Sequence, residues 1–191
     1  MSVSVRSVLK RASTLLLDLG LERWTEDELL MWLNDGQREL AANVKADAKV
    51  RTVDYLLAQG AKQAAPAGCL SILDVRQNKD GAAITPCERA ALDRFSPLWM
   101  QKPQSSSVRH WMPSEHPNVF YVYPAQNDAP ATVVMTYSAQ PATVGAAGDI
   151  DVRDIYAENL LNFILYRAFL KDAEFGGNGE RAVAFYQAFK A

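Results

Sequence analysis

The chain has 191 residues, of which 49% are hydrophobic and 22% charged, which predicts one folded domain or one domain carrying a large insertion and excludes general disorder. A formal net charge of -2 excludes a strong grip on nucleic acid through phosphates, since each neutralised phosphate needs a Lys or Arg. A wide pore that lets DNA pass without holding it stays compatible with this charge.

Val5, Val8, Leu9, Ala12, Leu15, Leu16 and Leu19 recur at steps of three and four, predicting an amphipathic helix that Gly20 stops. A second helix starts at Thr25 as cap, with Glu28 completing a capping box and Trp24 placed as a hydrophobic staple. Its apolar face is Leu29, Trp32, Leu33, Gly36, Leu40, Ala41 and Val44, and a close helix crossing would give Gly36 a purpose. The short link between the two helices favours antiparallel packing.

From about Lys49 the period shortens towards two. Residues 51–58 predict a strand, Gly60 a turn, and Ala61–Ala64 a short returning strand. Leu70–Val75 is compatible with either a strand or a helical turn, and Asn78-Lys79-Asp80-Gly81 is a turn signal. Thr85, Pro86 and Glu88 predict a helix over 85–92, and Gln101–Ser107 an exposed polar loop. Val119–Tyr123 and Thr132–Tyr137 predict two strong strands, most economically an antiparallel pair. A long helix follows, capped by Asp149 or Asp151 and running to Lys171, apolar around much of its circumference and therefore buried in a bundle or against another subunit. Gly176–Gly179 breaks it, and Glu180–Lys190 forms the last helix.

The expected class is α+β: an antiparallel helical bundle formed by the N- and C-terminal helices (1–48 and 149–191) with an inserted β-rich lobe (49–148). Two cysteines, Cys69 and Cys87, and no apolar leader in Met1–Arg6 predict a soluble, unexported chain with reduced thiols and no membrane contact.

No constellation predicts catalysis, a cofactor or a metal. His110 and His116 flank Glu115 in an extended, proline-bounded stretch without further ligands. Cys69 and Cys87 have no activating motif beside them. Gly176-Gly177-Asn178-Gly179 lacks the Lys-Ser/Thr of a phosphate loop. Asp149, Asp151 and Asp154 cluster where a helix start calls for caps. Phe120, Tyr121 and Tyr123 are stacking-competent, but without a basic groove they predict core packing, as do Trp32 and Trp99.

Four stretches in order carry a resemblance: Trp24-Thr25-Glu26-Asp27-Glu28-Leu29-Leu30-Met31-Trp32-Leu33-Asn34-Asp35-Gly36-Gln37-Arg38-Glu39, Leu73–Asn78, Phe120–Ala125, and Tyr156–Leu160 with Tyr166–Asp172 downstream. Together they resemble the tailed-phage head-to-tail adaptor (connector, or head completion) family. The resemblance implies a non-catalytic virion protein of the neck, assembled in the host cytoplasm. It also implies a ring of identical subunits, usually a dodecamer, that docks under the portal protein, receives a tail or nozzle protein and lets DNA through. Some adaptors extend a long C-terminal tail into the portal; here Ala191 follows the last helix closely, so portal contact is expected through helix ends or loops. The alternative expectation is a monomeric α+β binding module or virion accessory protein. A hydrolase would need a carboxylate pocket or thiol–His pair that the residues do not reveal.

Overall fold

The computed structural model describes residues 2–191, in which the chain is mixed α+β with five α-helices and two β-sheets. It divides into two compact units: one is the chain up to Lys49 with Gln140–Ala191, the other Val50–Ala139.

The first unit is helical. Helix α1 (Val5–Leu15) buries Val5, Val8, Leu9 and Ala12, and Ser4 caps it by accepting the Ser7 N–H. The helix stops before Gly20. Leu17 takes a left-handed φ of 56°, and the Asp18 N–H donates back to Ser13 O at 3.0 Å. Leu15–Leu21 holds five leucines in seven positions, more than one stripe can bury, so Leu19 projects into solvent instead of extending the apolar face.

Helix α2 (Glu26–Glu39) begins as its residues dictate, with Thr25 Oγ1 accepting the Glu28 N–H, Trp24 buried beside it and three carboxylates at the positive end of the dipole. The Glu28 carboxylate turns away from the cap to the Lys171 ammonium at 2.7 Å. One π-turn, Leu40–Val44, extends α2; it leaves Val44 half-buried.

In the same unit a 3-10 turn (Asp154–Tyr156) leads into the helix Ala157–Lys171, and a last helix spans Asn178–Lys190. The 157–171 helix packs against α1, α2 and the last helix, which accounts for apolar residues around most of its girth. Its Phe163 stands 4.9 Å, ring to ring, from Phe189, and Phe169 stacks on Phe185 at 5.6 Å. A Cβ on Gly36 would lie only 3.0 Å from the Phe163 ring, so the glycine permits this crossing.

The second unit holds β1 (Val50–Leu56), β2 (Gly60–Ala64), β3 (Cys69–Asn78), β4 (Thr85–Pro86), α3 (Arg89–Phe95), β5 (Gln104–Ser105), β6 (His110–Pro113), β7 (Val119–Gln126) and β8 (Thr132–Ala139). The helices Ala157–Lys171 and Asn178–Lys190 are accordingly α4 and α5. One sheet runs β1-β8-β3, all antiparallel; the other runs β2-β7-β6-β4, with β5 added beside β7. Val75, Val133, Met135 and Tyr137 from the first and Trp111, Phe120 and Val122 from the second share one apolar cluster. The unit is thus a two-layer β core.

Three expectations for this unit are corrected. The strands β7 and β8 do not pair with each other. Each is interior to its own sheet, β7 between β2 and β6 and β8 between β1 and β3. Alternation specifies which face of a strand is buried but not its partner, and the short β6 reaches β7 first through a local hairpin. The helix expected over 85–92 begins only at Arg89. Thr85 and Pro86 form β4, and the Thr85 hydroxyl meets His110 Nδ1 at 2.7 Å instead of capping. The loop 101–107 contains the short strand β5, whose backbone pairs with Ala125 and Gln126.

Candidate assembly surfaces

Buried amide side chains hold the connectors of both units. In the helical unit, Asn34 Nδ2 donates to Val144 O at 3.0 Å, and the Val144 N–H returns to Asn34 Oδ1 at 2.9 Å. One turn on, fully buried Gln37 donates to Asn34 Oδ1 at 3.3 Å and accepts the Asp151 N–H at 2.5 Å. The Asn34-Asp35-Gly36-Gln37 run therefore has a structural meaning. Two amides clip the 140–151 connector to α2 while the glycine between them admits Phe163. In the β unit, Asn78 makes the same two-way clip on Val108, with both bonds at 2.8 Å. Gln63 grips Ala58 through its N–H at 2.7 Å and its carbonyl at 2.8 Å. A buried amide that satisfies a connector's backbone on both sides fixes that connector more firmly than apolar packing alone.

The acidic cluster does not cap α4. Asp149 accepts from the Ser2 hydroxyl at 2.5 Å, Asp154 from the Val3 N–H at 3.0 Å, and Asp151 from the Ala142 N–H at 2.5 Å and from the Lys49 ammonium. These carboxylates tie down the N-terminal segment, Lys49 and the nearby 142 connector, and the helix start is left to the 3-10 turn. Beside them Asp47 accepts from the Tyr156 hydroxyl at 2.5 Å and pairs with Arg153. The Tyr156 bond chiefly, with the Arg153 charge, holds the Asp47 carboxyl below its ordinary range, and the same bond pushes the Tyr156 hydroxyl up.

One end of the helical unit is built around Arg23. Asp18 accepts the backbone N–H groups of Glu22, Arg23 and Trp24, each at 3.0 Å, so its carboxyl sits below its usual range with the Trp24 bond the largest cause. The turn so fixed directs Arg23 to Asp172 at 2.6 Å, with its guanidinium 5.0 Å from the Trp24 ring and 5.3 Å from the Phe175 ring. The α1–α2 and α4–α5 turns thus lie at the same end. There Leu17, Leu19, Leu170 and Phe175 face solvent, Leu17 at 91% exposure. Exposed apolar side chains gathered at one end make it a candidate seat for another surface. The excess of leucines over 15–21 was the signal for it, since residues that no stripe can bury must be left outside.

The remaining candidates are dispersed. His110 stacks on Tyr123 with centroids 6.2 Å apart, while His116 and Glu115 line a shallow hollow of about 220 Å³ with Ser71 and Ile72. No group of three His, Cys, Asp or Glu side chains suited to a metal occurs among the described residues. Both cysteines are free. Cys69 is buried, which pushes its thiol up and away from thiolate reactivity, and Cys87 is half-buried. Phe120 is in the core; Tyr121 meets Trp99 edge-on at 6.0 Å and carries the Arg89 guanidinium at 5.0 Å. Trp99 donates its indole N–H to Asp93 at 2.7 Å, and Trp32 is core. Gly177, at φ 81°, sets the start of α5 within the run 176–179. No helix is long and apolar enough to cross a membrane among the described residues.

No curated protein matches the sequence. A protein-family model described as SU10 adaptor protein matches residues 3–191, a span that takes in both units, the amide clips and the Arg23 end. The chain belongs to this family of phage adaptor proteins.

Proposed function

We propose that the chain is a non-catalytic structural subunit of the virion neck, which assembles with copies of itself into a ring, a dodecamer, between the portal and a tail or nozzle protein. The observation that carries this reading is the family match over residues 3–191. The helical part acts as a bundle closed by its N- and C-terminal helices, with the β unit inserted as a lobe. A ring closes only if each subunit repeats one rotation, which demands rigid subunits; the amide clips at Asn34, Gln37, Gln63 and Asn78 supply that rigidity. The net charge of -2 suits a pore that passes DNA without gripping it. The solvent-facing leucines around Arg23 give a partner protein an apolar seat.

The test is to co-express the chain with the portal protein encoded in the same phage genome and to image and weigh the complex. A stoichiometric ring on the portal is the expected result. A chain that stays monomeric beside the portal, and is missing from purified particles, ends the proposal. One observation favours a monomeric binding module as second reading: the apolar girth of α4 is covered within its own chain by α1, α2 and α5. The same mixing experiment separates the two.

A further inference from the structure

The outer faces of α1 and α2 carry opposite charge. Helix α1 has Arg6, Lys10 and Arg11 and no carboxylate. Helix α2 has five carboxylates against Arg38 alone. Ser7, Lys10, Arg11 and Thr14 stand at positions i, i+3, i+4 and i+7, the four places that surround a hole on a helix surface. With Leu15 they line an open groove of about 500 Å³, small residues at its two ends and cations at its sides. On the side of α2 turned from the core stand Asp27, Met31 and Asp35, one turn apart. Met31 is 51% exposed, an apolar knob between two carboxylates.

We propose that Met31 of one copy seats in the α1 groove of the next, with Asp27 and Asp35 reaching Lys10 and Arg11 on either side of it. This rests on the ring reading above and names the surface that builds the ring. Complementarity points to a second copy as the occupant: the groove is largely apolar with Lys10 and Arg11 at its sides, and the knob is unbranched, flexible and flanked by acids. Thioether side chains adapt to such irregular seats. Lys10 and Asp27 have no ion-pair partner among the described residues, so both are free to pair across the contact. Arg11 and Asp35 pair only with partly exposed Glu158 and Arg38, links that exchange at little cost. The two surfaces are different patches of one chain, so each copy joined still offers one free groove and one free knob. Such a heterologous contact propagates until it closes on itself.

The test uses the full chain, alone and with its portal protein, and reads assembly by native mass measurement. Lys10→Glu with Arg11→Glu, and separately Asp27→Lys with Asp35→Lys, each lower assembly at least tenfold. The chain carrying all four substitutions recovers it. A Thr14→Cys, Met31→Cys chain, with Cys87→Ser, gives on oxidation a covalent ladder in single-chain steps. If the wild type assembles while the charge variants assemble equally and no ladder forms, this contact is wrong and the ring reading stands. If the wild type itself yields no higher species in either setting, even with an amine-reactive crosslinker, both fall.

Discussion

Replacing Asn34 by Ala tests whether the amide clips are what hold the helical unit's connectors. The substitution removes the two bonds to Val144, at 3.0 and 2.9 Å, and the acceptor for the Gln37 amide at 3.3 Å. Each bond to Val144 contributes about 1 kcal/mol net, and stranding the fully buried Gln37 donor costs about 1 kcal/mol more. Alanine returns roughly 0.5 kcal/mol as the better helix former. The expected loss is therefore about 2.5 kcal/mol, which for a unit of this size lowers its melting temperature by about 10 °C or more. Urea unfolding followed by tryptophan fluorescence measures the loss, and amide hydrogen exchange at Val144 localises it. A change below about 0.5 kcal/mol with Val144 still protected would refute the assignment.

Gly36→Ala should destabilise the helical unit despite a propensity gain of about 1 kcal/mol, because the new Cβ meets a Phe163 ring held against Phe189. Adding Phe163→Leu should recover part of that loss in a double-mutant cycle; additive effects would contradict the contact. Since Asp47 and Asp18 are held below the ordinary carboxylate range, their stabilisation is present above about pH 4 and is lost as pH falls through their folded values. Asp47→Asn should flatten the acid limb of a pH–stability curve, and an unchanged limb would remove Asp47 from the account. A thiol reagent should label Cys87 quickly in the native state and Cys69 only on unfolding, because burial keeps Cys69 protonated and out of reach. Mass spectrometry of the labelled peptides decides the order.

Features that depend only on neighbours along the chain were legible in the residues. The Thr25 cap, the apolar face of α2 and the glycine stop before α5 arise within a few positions, where helix periodicity and capping chemistry operate. Gly36 signals a close crossing in the sequence because a mid-helix glycine is costly unless something lies against it, and Phe163 does. The Asn34–Gln37 run was visible as part of a family pattern, but its job was not. Nothing in the local sequence says that Val144 and Asp151, more than one hundred residues away, supply the backbone groups those amides satisfy. The aspartates at 149, 151 and 154 misled for the same reason. A carboxylate ahead of a helix reads as a cap until the fold brings Ser2, Val3, Lys49 and Ala142 within its reach.

Outside residues 70–107 the sequence by itself marked the helical and extended segments and most of their apolar faces, and it showed that the chain carries no large charge excess for nucleic acid. Tertiary structure alone decided that β7 and β8 enter different sheets, that α4 is covered by three helices of its own chain, and which leucines are left in solvent. Periodicity is a property of one segment, whereas partner choice and burial are set by competition among segments for the same surface, and that competition is settled only when all of them are in place.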